Sequence, residues 1–132
     1  MINQVKQCVL VVEDEPSISN VCQRVLIAEG FAVEIAQNGK IAQEMIAVRH
    51  YDLCLIDIRT PVMSGKELYT WMLERYPLLA QRVIFTTGDI MDGDTPVFLE
   101  RSAQPFLPKP FAPHELSIII KNACKVWNAH QG

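Results

Sequence analysis

Short runs rich in β-branched and other apolar residues recur at intervals along the chain, and they limit its fold more than any other feature. Cys8 to Val12, Ala32 to Ala36, Leu53 to Ile56 and Arg82 to Thr86 are of strand length. A strand with one wet face alternates apolar and polar residues. Runs that are apolar at nearly every position are expected where both faces are covered, as in a parallel sheet. A weaker fifth run, Phe106-Leu107, lies between prolines.

Helical stripes separate these runs. Ile18, Val21, Cys22, Val25 and Leu26 repeat on one helix face, and Gly30 supplies a stop. Ala42, Met45 and Ile46 mark a second helix after Asn38-Gly39, and Leu68, Trp71 and Met72 mark a third, closed by Pro77. From Pro113 onward, Leu116, Ile119, Ile120, Ala123, Cys124 and Trp127 hold the longest stripe. Gly93 and Pro96 disfavour an early helix after the fourth strand, so a loop is expected there, followed by a short helix to about Ser102. Five strands alternating with five helices predict a doubly wound α/β domain. With no repeat or linker, residues 1–132 are expected to form one domain with no output domain attached.

At 132 residues the chain has the size of one domain, and its net charge of −3 comes with no block of Lys or Arg. That argues against direct nucleic-acid binding, which needs a basic footprint. No apolar run is long enough for membrane insertion and the N-terminus lacks a secretory pattern, so a cytoplasmic protein is expected. Cys8, Cys22, Cys54 and Cys124 are scattered within apolar patterns without a C-x-x-C pair, which favours small packed side chains over a metal or disulfide.

In an open parallel sheet, functional residues gather at the carboxyl ends of the strands. Strand one runs into Glu13-Asp14-Glu15, strand three into Asp57, strand four into Thr86-Thr87-Gly88, and strand five into Lys109-Pro110. An acid closing a run as apolar as Leu53 to Ile56 could be only a cap for the next turn. Grouped with Glu13 and Asp14, however, it makes a crowd of carboxylates whose repulsion calls for raised pKa values or a cation. Mg²⁺ suits a site of few carboxylates completed by waters and a phosphate oxygen. Lys109 adds an ammonium and Thr87 a hydroxyl. A carboxylate nucleophile, a hard cation and two such groups are what formation of an aspartyl phosphate requires.

The motifs V-L-V-V-E-D-E (Val9 to Glu15), L-I-D-I-R-T-P-V-M-S-G (Leu55 to Gly65), F-T-T-G-D (Phe85 to Asp89) and F-L-P-K-P-F (Phe106 to Phe111) together resemble the response-regulator receiver domain over essentially the whole chain. The resemblance implies a flavodoxin-like, five-stranded parallel sheet of order 2-1-3-4-5, an order the family lends and spacing alone does not give. It implies Asp57 as phosphoacceptor, Asp14 as direct Mg²⁺ ligand, Glu13 as the acid holding a metal-bound water, and Arg59 lending its backbone carbonyl to the metal. Thr87 matches the switch hydroxyl, Lys109 the phosphate-binding lysine and Phe106 the aromatic switch position, where Phe replaces the more usual Tyr. Pro110 falls where receivers carry a cis bond that would aim the lysine, and Pro61 and Gly65 bracket the turn after strand three. Arg59 and Asp89 flank the site mouth and are expected to pair across it and slow attack by water on the phosphate. The implied partners are a sensor histidine kinase or histidine phosphotransfer protein, a downstream protein, and in some settings a second copy as a homodimer.

The implied role is therefore a phosphoacceptor and not an enzyme with a separate substrate. Three alternatives stand against it. A phosphorylation-independent pseudo-receiver would normally lack the central acid, the lysine or the acidic pair, all of which are present. A phosphatase acting through an aspartyl phosphate would favour D-x-D, but Asp57-Ile58-Arg59 places Arg at the second acid. A dinucleotide site would need a phosphate-cradling loop where Glu13-Asp14-Glu15-Pro16 stands.

Overall fold

The computed structural model describes residues 6–88, 91 and 93–129. Five parallel strands, β1 (Cys8–Val12), β2 (Ala32–Ala36), β3 (Leu53–Asp57), β4 (Val83–Thr87) and β5 (Phe106–Pro108), lie in the order β2-β1-β3-β4-β5. The helices are α1 (Pro16–Ala28), α2 (Gly39–Val48), α3 (Gly65–Arg75), α4 (Pro77–Ala80), α5 (Thr95–Ser102) and α6 (Pro113–Ala129).

Successive side chains of a strand point to opposite faces, and here both faces are covered. Leu10, Val12, Cys54, Ile56, Val83 and Phe85 pack with Ala42, Ile46, Leu68, Met72 and Leu99 on the side of α2, α3 and α5. Val9, Val11, Leu53, Leu55, Ile84 and Leu107 pack with Cys22, Leu26, Leu116 and Ile120 on the side of α1 and α6. That is why β1, β3 and β4 are apolar without alternation. The edge strand β2 tolerates Glu34 because its carboxylate accepts a hydrogen bond from the Tyr51 hydroxyl at 2.5 Å and pairs with Arg49. All four cysteines are free thiols, Cys22 and Cys54 buried, Cys8 and Cys124 partly so. Burial pushes the Cys22 thiol up to about 12.

Two boundaries differ from the sequence reading. Pro77 does close α3, but it also opens the four-residue helix α4, because a proline is well placed in the first turn, where its missing N–H costs nothing. Pro96 does the same for α5, which begins at Thr95 just beyond Gly93 (φ 51°) and runs to Ser102.

At the outer edge, β5 is short. Pro105 C=O accepts from Phe85 N–H at 3.0 Å and Lys109 N–H donates to Thr87 C=O at 2.8 Å, so residues 105, 107 and 109 turn their backbone groups inward, and Phe106 and Pro108 turn theirs outward.

Candidate functional site

The carboxyl ends of β1, β3, β4 and β5 bring the predicted residues together. The register pairs Val12 with Ile56 and Asp57 with Thr86, so Glu13 and Asp14 leave β1 beside the residue that ends β3. One oxygen from each of Glu13, Asp14 and Asp57 lies within 4.8 Å of the others. Glu13 and Asp57 are buried, at 3% and 5% exposure, while Asp14 faces solvent.

Lys109 sits between the two buried acids. Its Nζ is 2.7 Å from Glu13 Oε1 and 3.0 Å from Asp57 Oδ2. The other oxygens are also engaged: Glu13 Oε2 accepts from Glu15 N–H at 3.1 Å, and Asp57 Oδ1 from Arg59 N–H at 3.1 Å. Burial pushes the Glu13 carboxyl above the ordinary glutamate value, against the opposing pull of Lys109 and the Glu15 N–H. Burial works to lower Lys109, but its bonds to Glu13 and Asp57 outweigh that and hold it above the ordinary lysine value. The Lys109–Pro110 peptide is cis.

Thr87 ends β4, fully enclosed, one residue beyond the partner of Asp57. Phe106 lies on the edge strand opposite Phe85 and is 39% exposed, so its ring stands at the surface. Asp89 falls outside the described residues, and with it the expected pair with Arg59.

Gly65 is where the backbone of α3 meets the site. Its N–H donates to Ile58 C=O at 2.8 Å. A Cβ there would stand 2.4 Å from the Asp57 carbonyl oxygen and 2.8 Å from Ile58 Cα, both backbone atoms that cannot yield. The turn before it is the one that Pro61 and Gly65 bracket in the sequence. In it, Met63 N–H donates to Pro61 C=O at 2.7 Å across Val62, whose φ is 69°. This is a γ-turn with a β-branched residue at its centre, a conformation that costs such a residue of order 1–3 kcal/mol. Thr60 Oγ1 braces the loop by donating to Met63 C=O at 2.7 Å, and that same carbonyl accepts from Gly39 N–H at 3.1 Å.

Chemically, the arrangement offers a carboxylate nucleophile flanked by two further acids, an ammonium and a hydroxyl-bearing strand end. The donor set fits a hard divalent cation: oxygens only, close-set, with one exposed carboxylate to complete it from the solvent side.

An open sheet of order β2-β1-β3-β4-β5 with acids at its carboxyl edge defines a class of signalling receivers, and residues 9–121 match the response regulator receiver domain family. The chain belongs to that family. It is 34% identical over 113 residues to a probable transcriptional regulator ycf29 of Pyropia yezoensis, covering 86% of this chain and 51% of that protein. It is 32% identical over 116 residues to the transcriptional regulatory protein CreB of Escherichia coli, covering 88% of this chain and 50% of that protein. The chain thus spans about half the length of these curated relatives. Among solved structures, a CheY-like response regulator receiver domain protein from Methanospirillum hungatei superposes with a TM-score of 0.85 at 26% identity, covering 96% of this chain and 99% of that one.

Proposed function

We propose that this chain is a working phosphoacceptor, with Asp57 taking a phosphoryl group from a phosphohistidine and thereby changing affinity for a downstream protein. The observation that carries the reading is the ammonium of Lys109 placed between Glu13 and Asp57 at 2.7 and 3.0 Å, with Asp14 beside them. Three acids set this close with one dedicated cation are costly to keep as packing alone.

Asp14, Asp57 and the backbone carbonyl of Arg59 would hold Mg²⁺, with Glu13 steering a metal-bound water; when bound, the ion offsets carboxylate charge and that of the incoming phosphoryl oxygens. The chain's own groups do the rest. An Asp57 carboxylate oxygen attacks phosphorus; the P–N bond of the donor breaks, and its electron pair leaves with the imidazole nitrogen, which takes up a proton. Lys109 gives up its bond to Asp57 Oδ2 and turns to a phosphoryl oxygen, and the Thr87 hydroxyl donates to a second. Phe106 then moves inward from the surface, so that α5 and β5 present a different face to a partner that prefers one state. The donor is a sensor histidine kinase or a histidine phosphotransfer protein, and residues 1–132 act as one receiver unit.

The test is intact-protein mass after incubation with Mg²⁺ and acetyl phosphate, comparing the native chain with Asp57→Asn. One added phosphoryl group on the native chain only is expected. Absence of the adduct, with a phosphohistidine donor also failing on folded protein, would replace this reading with a phosphorylation-independent interaction module.

A further inference from the structure

Lys66 occupies a place that its own helix does not favour. It lies in the first turn of α3, directly after Gly65, where unpaired N–H groups and the helix dipole repel a cation. Its side chain is nonetheless only 24% exposed, because α5 holds it. The ammonium pairs with the Asp94 carboxylate and stands 5.6 Å from the centre of the Phe98 ring, within reach of a cation–π contact. Phe98 is fixed edge-on against Tyr69 and Phe85, with ring centres 5.8 and 5.1 Å away. Lys66 therefore ties the turn that rests on Asp57 to the start of α5.

Asp94 is the N-cap residue of α5. An Asp there ordinarily accepts a hydrogen bond from the second or third helical N–H. The second position is Pro96, which has none, so Val97 N–H is the donor to be capped. Asp94 makes no such bond, and its backbone, at φ −91° and ψ 5°, is not in the extended conformation that such a cap uses. Its carboxylate is turned to Lys66 instead, and that ammonium, with Arg59 contributing, holds the carboxyl below the ordinary aspartate range. Lys66 also lines, with Asp14, Arg59 and Ser64, a crevice of about 500 Å³ beside the acid cluster. Of the residues lining it, Arg59 and Lys66 carry the positive charge.

We propose that Lys66 and Asp94 form a toggle between this crevice and α5. At rest, Lys66 withholds Asp94 from the cap. A phosphoryl group on Asp57 draws the ammonium into the crevice, and Asp94, released, turns its backbone extended and sets its carboxylate on Val97 N–H. The inference deepens the phosphoacceptor reading and rests on it: with Mg²⁺ held in both states, a phosphorylated Asp57 brings more negative charge to the crevice than its free carboxylate. It gives the first turn of α5 two states, capped and uncapped, set by the charge at Asp57.

The experiment is the solvent-exchange rate of the Val97 amide, read by NMR. It compares the native chain, Lys66→Met and the double variant Lys66→Met with Asp94→Ala, each in Mg²⁺, with and without beryllium fluoride as a phosphoryl mimic. Lys66→Met is expected to slow the exchange about five-fold, the worth of a typical cap, and the second substitution to abolish the slowing. Beryllium fluoride is expected to slow Val97 in the native chain and to add nothing in Lys66→Met. Unchanged exchange in Lys66→Met overturns the toggle, as does slowing that survives Asp94→Ala. Shifts of the Asp57 and Thr87 amides without any effect at Val97 overturn the coupling. If those two amides do not respond either, the phosphoacceptor reading fails and the coupling with it, and the variants alone decide whether Lys66 withholds the cap.

Discussion

Replacing Lys109 by Met keeps most of the length of the side chain and removes the only positive charge in direct contact with both Glu13 and Asp57 among the described residues. Their side chains are 3% and 7% exposed, so water offers little compensation. Stripping one partner from a buried ionic group costs about 3–5 kcal/mol. Each acid keeps one backbone N–H at 3.1 Å, which places the expected loss at the lower end, about 3 kcal/mol at neutral pH, or roughly 10 °C in Tm for a domain of this size. The loss depends on pH with a definite sign. Burial already raises Glu13, and without Lys109 it rises further. Between the unfolded and folded values the native state binds the extra proton, so stability falls as pH rises through that interval. The variant's deficit is therefore larger at neutral pH than at about pH 5, since the raised Glu13 takes up its proton more readily as pH falls. In the native chain, the raised Lys109 contributes stability below the ordinary lysine value and loses it as pH climbs through the raised one. Urea unfolding followed by Trp71 and Trp127 fluorescence, at both pH values and with EDTA or Mg²⁺, measures all of this. Mg²⁺ should recover part of the loss by binding the folded state. Equal stability of Lys109→Met and native protein at neutral pH in EDTA would refute the argument that Lys109 offsets the acid cluster.

Gly65→Ala forces a Cβ to within 2.4 Å of the Asp57 carbonyl oxygen, so urea unfolding should show a loss of about 2–3 kcal/mol, and phosphoryl uptake should slow because the shift falls on Asp57 itself. A change under about 0.5 kcal/mol would mean that the turn yields freely. Val62→Asn puts a residue tolerant of positive φ at the exposed centre of the γ-turn and should stabilise the fold by about 1 kcal/mol; a stability no higher than that of the native protein would show that the turn carries no strain.

The acids and their meeting place were legible because strand ends are legible: an apolar run followed by a charged residue fixes where a strand stops, and the parallel sheet puts all such stops on one edge. Asn38 was readable as the start of α2 for a similar local reason, and its side chain accepts from Ile41 N–H at 2.9 Å. Contacts between distant segments were not legible. Nothing near Gly39 in sequence announces that a Cβ there would strike the Met63 carbonyl at 2.4 Å. Val62 is another case, since its residue type argues against the conformation that the surrounding loop imposes on it. Nor does a lysine after Gly65 announce a partner 28 residues away. The helix α5 lay between these cases: its late start follows from Gly93 and Pro96, but Pro96 itself falls within its first turn.

The construction of β5 has a consequence for how copies of this protein can assemble. Its outward-facing backbone belongs to Phe106 and Pro108, and a proline has no N–H, so within the strand a single donor looks out from that side of the sheet. A strand from another molecule would find almost nothing to bond along this margin, which guards the domain against growing by sheet extension. Any homodimer formed through this side would have to be joined by side chains, with the half-exposed ring of Phe106 among them. Such a joint can respond to the position of one aromatic ring, whereas a continuous backbone ladder could not.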